Sequence, residues 1–383
     1  MTGWRTTHLG AVVTLQRGFD LPSRLRRRGT TPIVSSSGIS GWHDQPMVKA
    51  PGVVTGRYGT IGEVFFEEVD FWPLNTTLWV SNFHGNDKRF VYYLLQRINF
   101  AAHSGKSGVP GVNRNDLHSE LVSLPLSVDD QRVIADALSD CDNLISALER
   151  QIAKERAIKQ GMMQQLLTGR TRLQGFEGVW EYHLVAEMGD VLAGKALNVS
   201  GAGALRPYLR TKNVLDGRID LEDVLWMPMT DVEFERFRIE CGDVLLNEGQ
   251  SLELVGRCSI YSGEFGTPCA MQNQLLRFRS YPGTSPEFAA HLFRYCQWAG
   301  AFSVIATKTT SVAHLGSSRL SNLRLLWPTD RREQAAIAEV LSDMDAEITA
   351  HEVRLDKARA VKQGMMQQLL TGRTRLPVME SAA

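Results

Sequence analysis

AIKQGMMQQLLTGRTRL occupies Ala157–Leu173, and AVKQGMMQQLLTGRTRL occupies Ala360–Leu376. One position in seventeen differs. The offset of 203 residues holds without a gap back to Pro125 and Pro328, and 29 of those 49 positions are identical. Self-similarity at a fixed offset marks a duplicated architecture. The stretches ahead of the two copies share only echoes. Trp4 and Trp180 each precede a glycine by fourteen residues (Gly18, Gly194), with Val12 and Leu15 matching Met188 and Val191. Ile61-Gly62 resembles Val255-Gly256, and Asn75 in PLNTTLWV resembles Asn273 in MQNQLLRF. The chain therefore alternates two divergent segments, 1–125 and 176–327, with two near duplicates, 126–175 and 328–383.

The duplicated segments read as long helices. Apolar residues at Ile134, Leu138, Cys141, Ile145, Leu148 and Ile152 step by four and three, a heptad seam. The second copy has Ile337, Leu341, Met344, Ile348, His351 and Leu355 at those positions. Polar residues around Glu155–Lys159 and Ala358–Lys362 predict a shift or loosening of the seam there. Pro125 and Pro328 bar an earlier start; Ser127 with Asp130, and Asp330 with Glu333, sit as capping boxes. Gly169 and Gly372 stand where C-terminal caps belong, each followed by an arginine. About forty helical residues at ~1.5 Å each make a rod of roughly 60 Å. Its exposed apolar stripe needs a partner, and the nearest is its own duplicate folded back antiparallel. The expected fold is α+β: two mixed α/β domains separated by two long antiparallel spacer helices in a coiled coil, with a pseudo-twofold. An ordinary dimerisation coiled coil would give the seam alone. It leaves unexplained why near-identical helices alternate with divergent domains.

The bulk composition agrees with two to three globular domains: 383 residues, 43% hydrophobic and 22% charged. No run of 18 apolar residues and no signal-peptide core is present, which places the expected chain in the cytoplasm, away from a membrane. Five cysteines, an odd number without a Cys-x-x-Cys pair, read as small buried hydrophobes rather than disulfides or a zinc site. Net charge is zero, but unevenly spread. Residues 1–60 hold eight Lys/Arg against Asp20 and Asp44, whereas 176–327 hold 14 bases against 17 acids. The first half carries the charge to grip phosphate unaided; the second needs help.

No catalytic motif emerges. Ser104-Gly105-Lys106-Ser107 ends like a phosphate loop, but Phe100 stands where that loop needs glycine. There is no Asn-Pro-Pro-Tyr or Asp-Pro-Pro-Tyr string, no Gly-x-Gly-x-x-Gly, no Glu-x-Lys or Asp-x-Lys, no Gly-x-Ser-x-Gly and no His-x-x-x-His. No metal site is expected.

KQGMMQQLLTGRTRL, twice, resembles the spacer-helix end of specificity subunits of type I restriction–modification systems. TPIVSSSGISGWHD, GRYGTIGEVFF and the Trp–Gly opening resemble that family's target-recognition domains, as do YLRTKNVLDGRIDL (Tyr208–Leu221) and GDVLLNEG (Gly242–Gly249). The resemblance covers nearly the whole chain. It implies a non-catalytic subunit whose two domains each read one half of a split, asymmetric target in double-stranded DNA. It implies that the helices set the unread spacer and dock two methyltransferase subunits, with motor–nuclease subunits joining through that core. The chain itself would need no cofactor; S-adenosylmethionine, ATP and Mg²⁺ would belong to the partners, which methylate adenine or translocate and cleave. Met162, Met163, Leu166 and Leu167, with Met365, Met366, Leu369 and Leu370, are the residues expected to face the methyltransferases. Two other readings stand beside this one: a coiled-coil adaptor that never touches DNA, and a fused type II restriction–methylation component.

Base edges are read by Arg, Lys, Asn, Gln, Ser and Thr on exposed loops. In the first domain the candidates are Arg57, Tyr58 and Thr60, then Lys106, Ser107, Asn113 and Arg114, with Arg24, Arg26, Arg27 and Arg28 for phosphate. In the second they are Lys212, Asn213, Asn247, Gln250, Ser251, Lys308, Thr309 and Thr310. Glu248 and Glu253 would repel phosphate and, if they face DNA, would accept from a cytosine amino group. The plainer alternatives are that Gly56, Gly59 and Gly62 only make turns, that Arg57 is a solvated surface charge, and that Asn75 and Asn273 bond backbone within a sheet.

Overall fold

The structure, a computed structural model, describes residues 3–103, 111–197, 200–309 and 312–376. It divides into two compact units, one formed by residues up to 150 together with those from 352 onward, the other by 151–351.

Unit 1 runs β1 (Trp4–His8), β2 (Thr14–Arg17), β3 (Thr31–Ser35), β4 (Gly38–His43), β5 (Gly52–Gly56), β6 (Val64–Glu67), β7 (Trp72–Pro73), β8 (Thr77–Asn82), α1 (Lys88–Gln96), α2 (Arg114–His118), β9 (Leu121–Pro125) and α3 (Val128–Leu166). The central sheet has the order β2-β8-β5-β6, and a smaller one β4-β3-β7. β5, GVVTG, is buried at every position, as a central strand rich in β-branched residues should be. α1 lays Phe90, Val91, Tyr93, Leu94 and Leu95 into the core, and Asp87 caps it by accepting from Phe90 N at 2.8 Å. β1 and β9 close the segment antiparallel, Trp4 opposite Pro125.

Unit 2 repeats this plan with additions: β10 (Trp180–Leu184), α4 (Val185–Met188), β11 (Gly189–Ala193), β12 (Ala204–Leu209), β13 (Val214–Leu215), β14 (Arg218–Ile219), β15 (Leu225–Met229), α5 (Asp231–Phe237), β16 (Val244–Asn247), β17 (Gly249–Gln250), β18 (Cys258–Ile260), β19 (Ala270–Met271), β20 (Leu275–Ser280), α6 (Pro286–Trp298), α7 (Ala301–Ile305), β21 (Thr307–Lys308), β22 (Ala313–His314), α8 (Ser317–Ser321), β23 (Arg324–Pro328) and α9 (Arg331–Leu369). The order β11-β20-β16-β18 answers β2-β8-β5-β6, and β15-β12-β19 answers β4-β3-β7, each with one parallel pairing. Trp180 stands opposite Pro328. The shared Trp–Gly spacing has a steric cause: a Cβ on Gly18 would lie 2.1 Å from Leu74 O, and one on Gly194 2.3 Å from Gln272 O. Only glycine allows the strands so close.

The repeats enter the two units the same way. Gln131 donates from Nε2 to Pro125 O and accepts Asp87 N–H; Gln334 does the same with Pro328 O and Ser285 N–H. Ser127 Oγ accepts from Asp129 and Asp130 N–H, and Asp330 accepts from Arg332 N–H. Glu333 does not complete a capping box: it is fully buried and receives Arg172 Nη2 at 2.7 Å. Gly169 (φ +68°) and Gly372 (φ +69°) end the helices left-handed, packed on Trp180 and Trp4 respectively.

The four sequence segments assemble into two units. Each 39-residue helix is shared between units. In unit 1, Asp142–Lys362 and Glu149–Arg359 run α3 and α9 antiparallel; in unit 2, Lys159–Asp345 and Glu155–His351 do so. The seam is not purely helix on helix either. Ile134 and Leu138 join the unit 1 core with Phe90 and Leu94, and Ile337 and Leu341 the unit 2 core with Phe288 and Trp327.

Candidate nucleic-acid interface

In unit 1 an open cleft of about 370 Å³ is lined by Arg17, Arg57, Tyr58, Leu78 and residues 111–114. β5 ends at Gly56, where a Cβ would meet Thr60 O at 1.8 Å. The chain turns there, and Arg57 is pinned on both sides of its backbone: its N–H donates to Thr76 O at 2.8 Å and its carbonyl accepts from Val112 N at 3.0 Å. The Arg57 guanidinium lies 4.5 Å over the Tyr58 ring, with Nη2 3.3 Å from the phenol oxygen. Asn113 is spent as the cap of α2, accepting from Asn115 N–H, and leaves Arg114 exposed beside it. Arg17, which sequence reasoning passed over, donates to Asp20 at 3.0 Å. Its signal was its place directly before Gly18. Among the described residues neither Arg57 nor Arg114 has a carboxylate within 4 Å. Thr60 is exposed on the same turn. The 24–28 cluster is less than four free cations: Arg27 pairs with Asp44, Arg26 donates to Leu21 O, and Arg24 and Arg28 remain exposed.

In unit 2 the same backbone position carries Glu248. Its N–H donates to Gln274 O and its carbonyl accepts from Leu315 N, both at 2.8 Å, as Arg57 does with Thr76 and Val112. Asn247 N–H reaches Arg257 O as Gly56 N–H reaches Glu63 O. The Glu248 carboxylate meets His314 Nδ1 at 3.0 Å. Gln250, Ser251, Lys308 and Thr309 lie at or near the surface on the adjoining strands and loops.

Several expected residues are placed elsewhere. Asn247 is fully buried and donates to Val214 O at 3.2 Å, so it holds backbone rather than reading a base. Asn213, also buried, knits a loop through Arg210 N, Asp220 O and Asp223 O. Lys212 pairs with Asp223 at 2.8 Å, although it stays exposed. The Met-Met and Leu-Leu residues are not an open docking face. Met163, Leu166 and Leu167 are buried in the unit 2 core and Leu369 and Leu370 in the unit 1 core; Met162, Met365 and Met366 pack against those cores. Each apolar helix end is used up closing a domain. Lys106, Ser107 and Thr310 lie outside the described residues.

Cys258, Cys269 and Cys296 are buried and all five cysteines are free thiols. Burial pushes the Cys269 thiol up to about 11 and Cys296 to about 12, so neither is a nucleophile near neutral pH. Among the described residues no group of three His, Cys, Asp or Glu side chains is arranged to hold a metal ion, and no helix is long and apolar enough to cross a membrane.

Residues 1–156 match the family model described as the type I restriction modification DNA specificity domain. The chain is 24% identical over 308 residues to the type I restriction enzyme MjaVIII specificity subunit of Methanocaldococcus jannaschii, covering 76% of this chain and 71% of that one. A match to a second chain of that organism, named for the MjaX type I restriction enzyme, is 25% identical over 166 residues and takes in 43% of this chain but only 39% of the relative's length. The fold is similar to the crystal structure of a type I system S subunit from M. genitalium, with a TM-score of 0.66, 14% identity and 96% of each chain covered.

Proposed function

The chain belongs to the specificity subunits of type I restriction–modification systems, and from that premise we propose that each unit reads one half of a split, asymmetric target in double-stranded DNA. The observation that carries this is one backbone position built twice, with an open cleft beside it in unit 1. One backbone scaffold, built twice, presents Arg57, Tyr58 and Arg114 in unit 1 and Glu248, His314 and Gln250 in unit 2. A fixed frame with exchanged side chains is what reading two different half-sites requires. The paired helices set the number of unread base pairs. They also dock two methyltransferase subunits, through which motor–nuclease subunits join. Docking falls to the exposed parts of the repeat, Ile158 with Gly161 and Val361 with Gly364, since the Met-Leu ends are buried. Methyl transfer and ATP-driven cleavage, with S-adenosylmethionine, ATP and Mg²⁺, are work for the partners. With zero net charge the chain alone binds DNA weakly, and specific binding needs the methyltransferase.

The test is co-expression with a type I methyltransferase subunit, followed by genome-wide mapping of methylated adenines. A split asymmetric motif that appears only with this chain supports the reading. A stable complex that methylates nothing, or methylates without a split motif, overturns it.

A further inference from the structure

Arg57 and Glu248 occupy one place in two copies of one fold, fixed by matching backbone bonds to Thr76 and Val112 and to Gln274 and Leu315. Their charges are opposite. Resting on the half-site reading above, we propose that the two positions read complementary base edges: Arg57 donates to guanine O6 and N7, and Glu248, oriented by His314, accepts from the N4 amino group of cytosine.

The geometry separates base contact from phosphate contact at each position. Arg57 is half-buried, and its guanidinium is held by the Tyr58 ring, 4.5 Å from Cζ to the centroid, and by the phenol oxygen 3.3 Å from Nη2. Gly111 packs against that ring so closely that a Cβ there would lie 2.2 Å from it. A planar fork held at two points suits two acceptors side by side, which guanine alone presents in the major groove. Phosphate needs no such plane and is served by the exposed Arg114 and Arg24. The Glu248 side chain is 16% exposed, and His314 takes one of its two oxygens. A carboxylate only accepts, so a phosphate facing it is repelled. Adenine sets its N7 acceptor beside the N6 amino group, which also repels a carboxylate; cytosine offers its amino group without that neighbour.

The experiment maps methylation motifs of the assembled complex carrying the unaltered chain, Arg57→Gln, Arg57→Lys or Glu248→Gln. The expected unaltered motif has guanine in one half and cytosine in the other. Arg57→Gln relaxes that guanine toward adenine, with discrimination falling about 10-fold or more, and leaves the other half intact. Glu248→Gln relaxes the cytosine toward adenine by a similar factor and leaves the first half intact. Arg57→Lys keeps the charge and loses the fork, so it too loses discrimination. If a variant complex assembles but methylates too little to map, its binding is titrated on duplexes substituted one base pair at a time. Loss of discrimination at one pair supports the proposal; uniform weakening at all pairs overturns it. Unchanged motifs in all variants, or full selectivity in Arg57→Lys, also overturn it while leaving the half-site reading intact. An unaltered complex that yields no split motif sinks the half-site reading and this inference with it.

Discussion

Asp142 and Asp345 sit at the same position of the two helix repeats, and each receives the lysine of the other repeat's KQGMM string. In unit 1, Asp142 accepts from Lys362 and from the Tyr93 hydroxyl at 2.7 Å. In unit 2, Asp345 accepts from Lys159 and from Arg294 at 2.6 Å, and Arg294 reaches on to Asp216 at 2.8 Å. Lys362 keeps 18% of its side chain exposed, Lys159 only 6%. Burial pushes the Lys159 ammonium below its ordinary range and nearby Arg294 adds to this, while Asp345 partly offsets both. Burial would raise the Asp345 carboxyl, but Arg294 and Lys159 more than offset it and hold it low. Duplicated helices therefore make one contact twice, and the domain that leans on each contact decides its electrostatics.

The largest break in this symmetry should come from removing the carboxylates. Asp345→Ala leaves the buried Lys159 without its carboxylate, beside an Arg294 that keeps only Asp216, and should cost about 3–5 kcal/mol. Asp142→Ala strands one partly exposed lysine and a phenol and should cost about 1–3 kcal/mol. Denaturant unfolding, with hydrogen exchange to assign each loss to its unit, measures both; equal losses would undo the comparison.

Acid should separate the units next. His291 stands six residues after the Ser285 cap where Tyr93 stands six after Asp87. Burial, with Arg294 and Lys159 beside it, lowers the His291 imidazole to about 3 from its ordinary 6.5. Between those values the unfolded chain binds the extra proton, so stability rises with pH and is lost as pH falls below about 6.5. The lowered Asp345 adds a loss in the same direction at lower pH. Unit 2 should lose on the order of 2 kcal/mol from pH 7 to pH 5, and His291→Gln should flatten that slope. Thermal melts across that range follow it, and an unchanged slope in the variant would remove His291 from the account.

A smaller effect sits nearer the middle of the helices. Glu155 accepts from Gln151 and meets His351 at 2.9 Å; the matching positions in the other copies are Leu148 and Ala358, both buried. His351→Leu alone leaves Glu155 with Gln151 only and should cost about 1–2 kcal/mol. His351→Leu with Glu155→Ala copies the apolar pair and should return to within about 1 kcal/mol of the parent. A double variant no better than the single would show that the two sites do not share a geometry.

The smallest effect belongs to the first residues of α2 and α8. Arg114→Ala should lower the salt slope of DNA binding by the complex by about 0.9, while Ser317→Ala, at the matching position of α8, should leave it unchanged. Salt titration of binding tells them apart.

Much of the frame was legible in the chain itself. The duplicated string, the prolines ahead of it and the glycines behind it mark both 39-residue helices to within a few residues. The Trp–Gly echo correctly matched Leu15 with Val191, each one strand over from β8 and β20. The site was legible only in part. Arg57, Tyr58 and Arg114 do line one cleft, but Asn213 and Asn247 looked like readers because a polar side chain in a Gly-rich loop gives no sign of being buried. The Met-Leu ends looked like docking residues because periodicity shows that a face is apolar and not what covers it.

The sequence by itself determined the duplication, the two helices and their caps, because these depend on neighbours a few residues apart along one chain. Only the tertiary structure decided which domain each helix end completes, and that Arg57 and Glu248 answer one another at an offset of 191 where the helices keep 203. Strand register is set by partners far away in sequence, and loops of unequal length between those strands erase any fixed spacing.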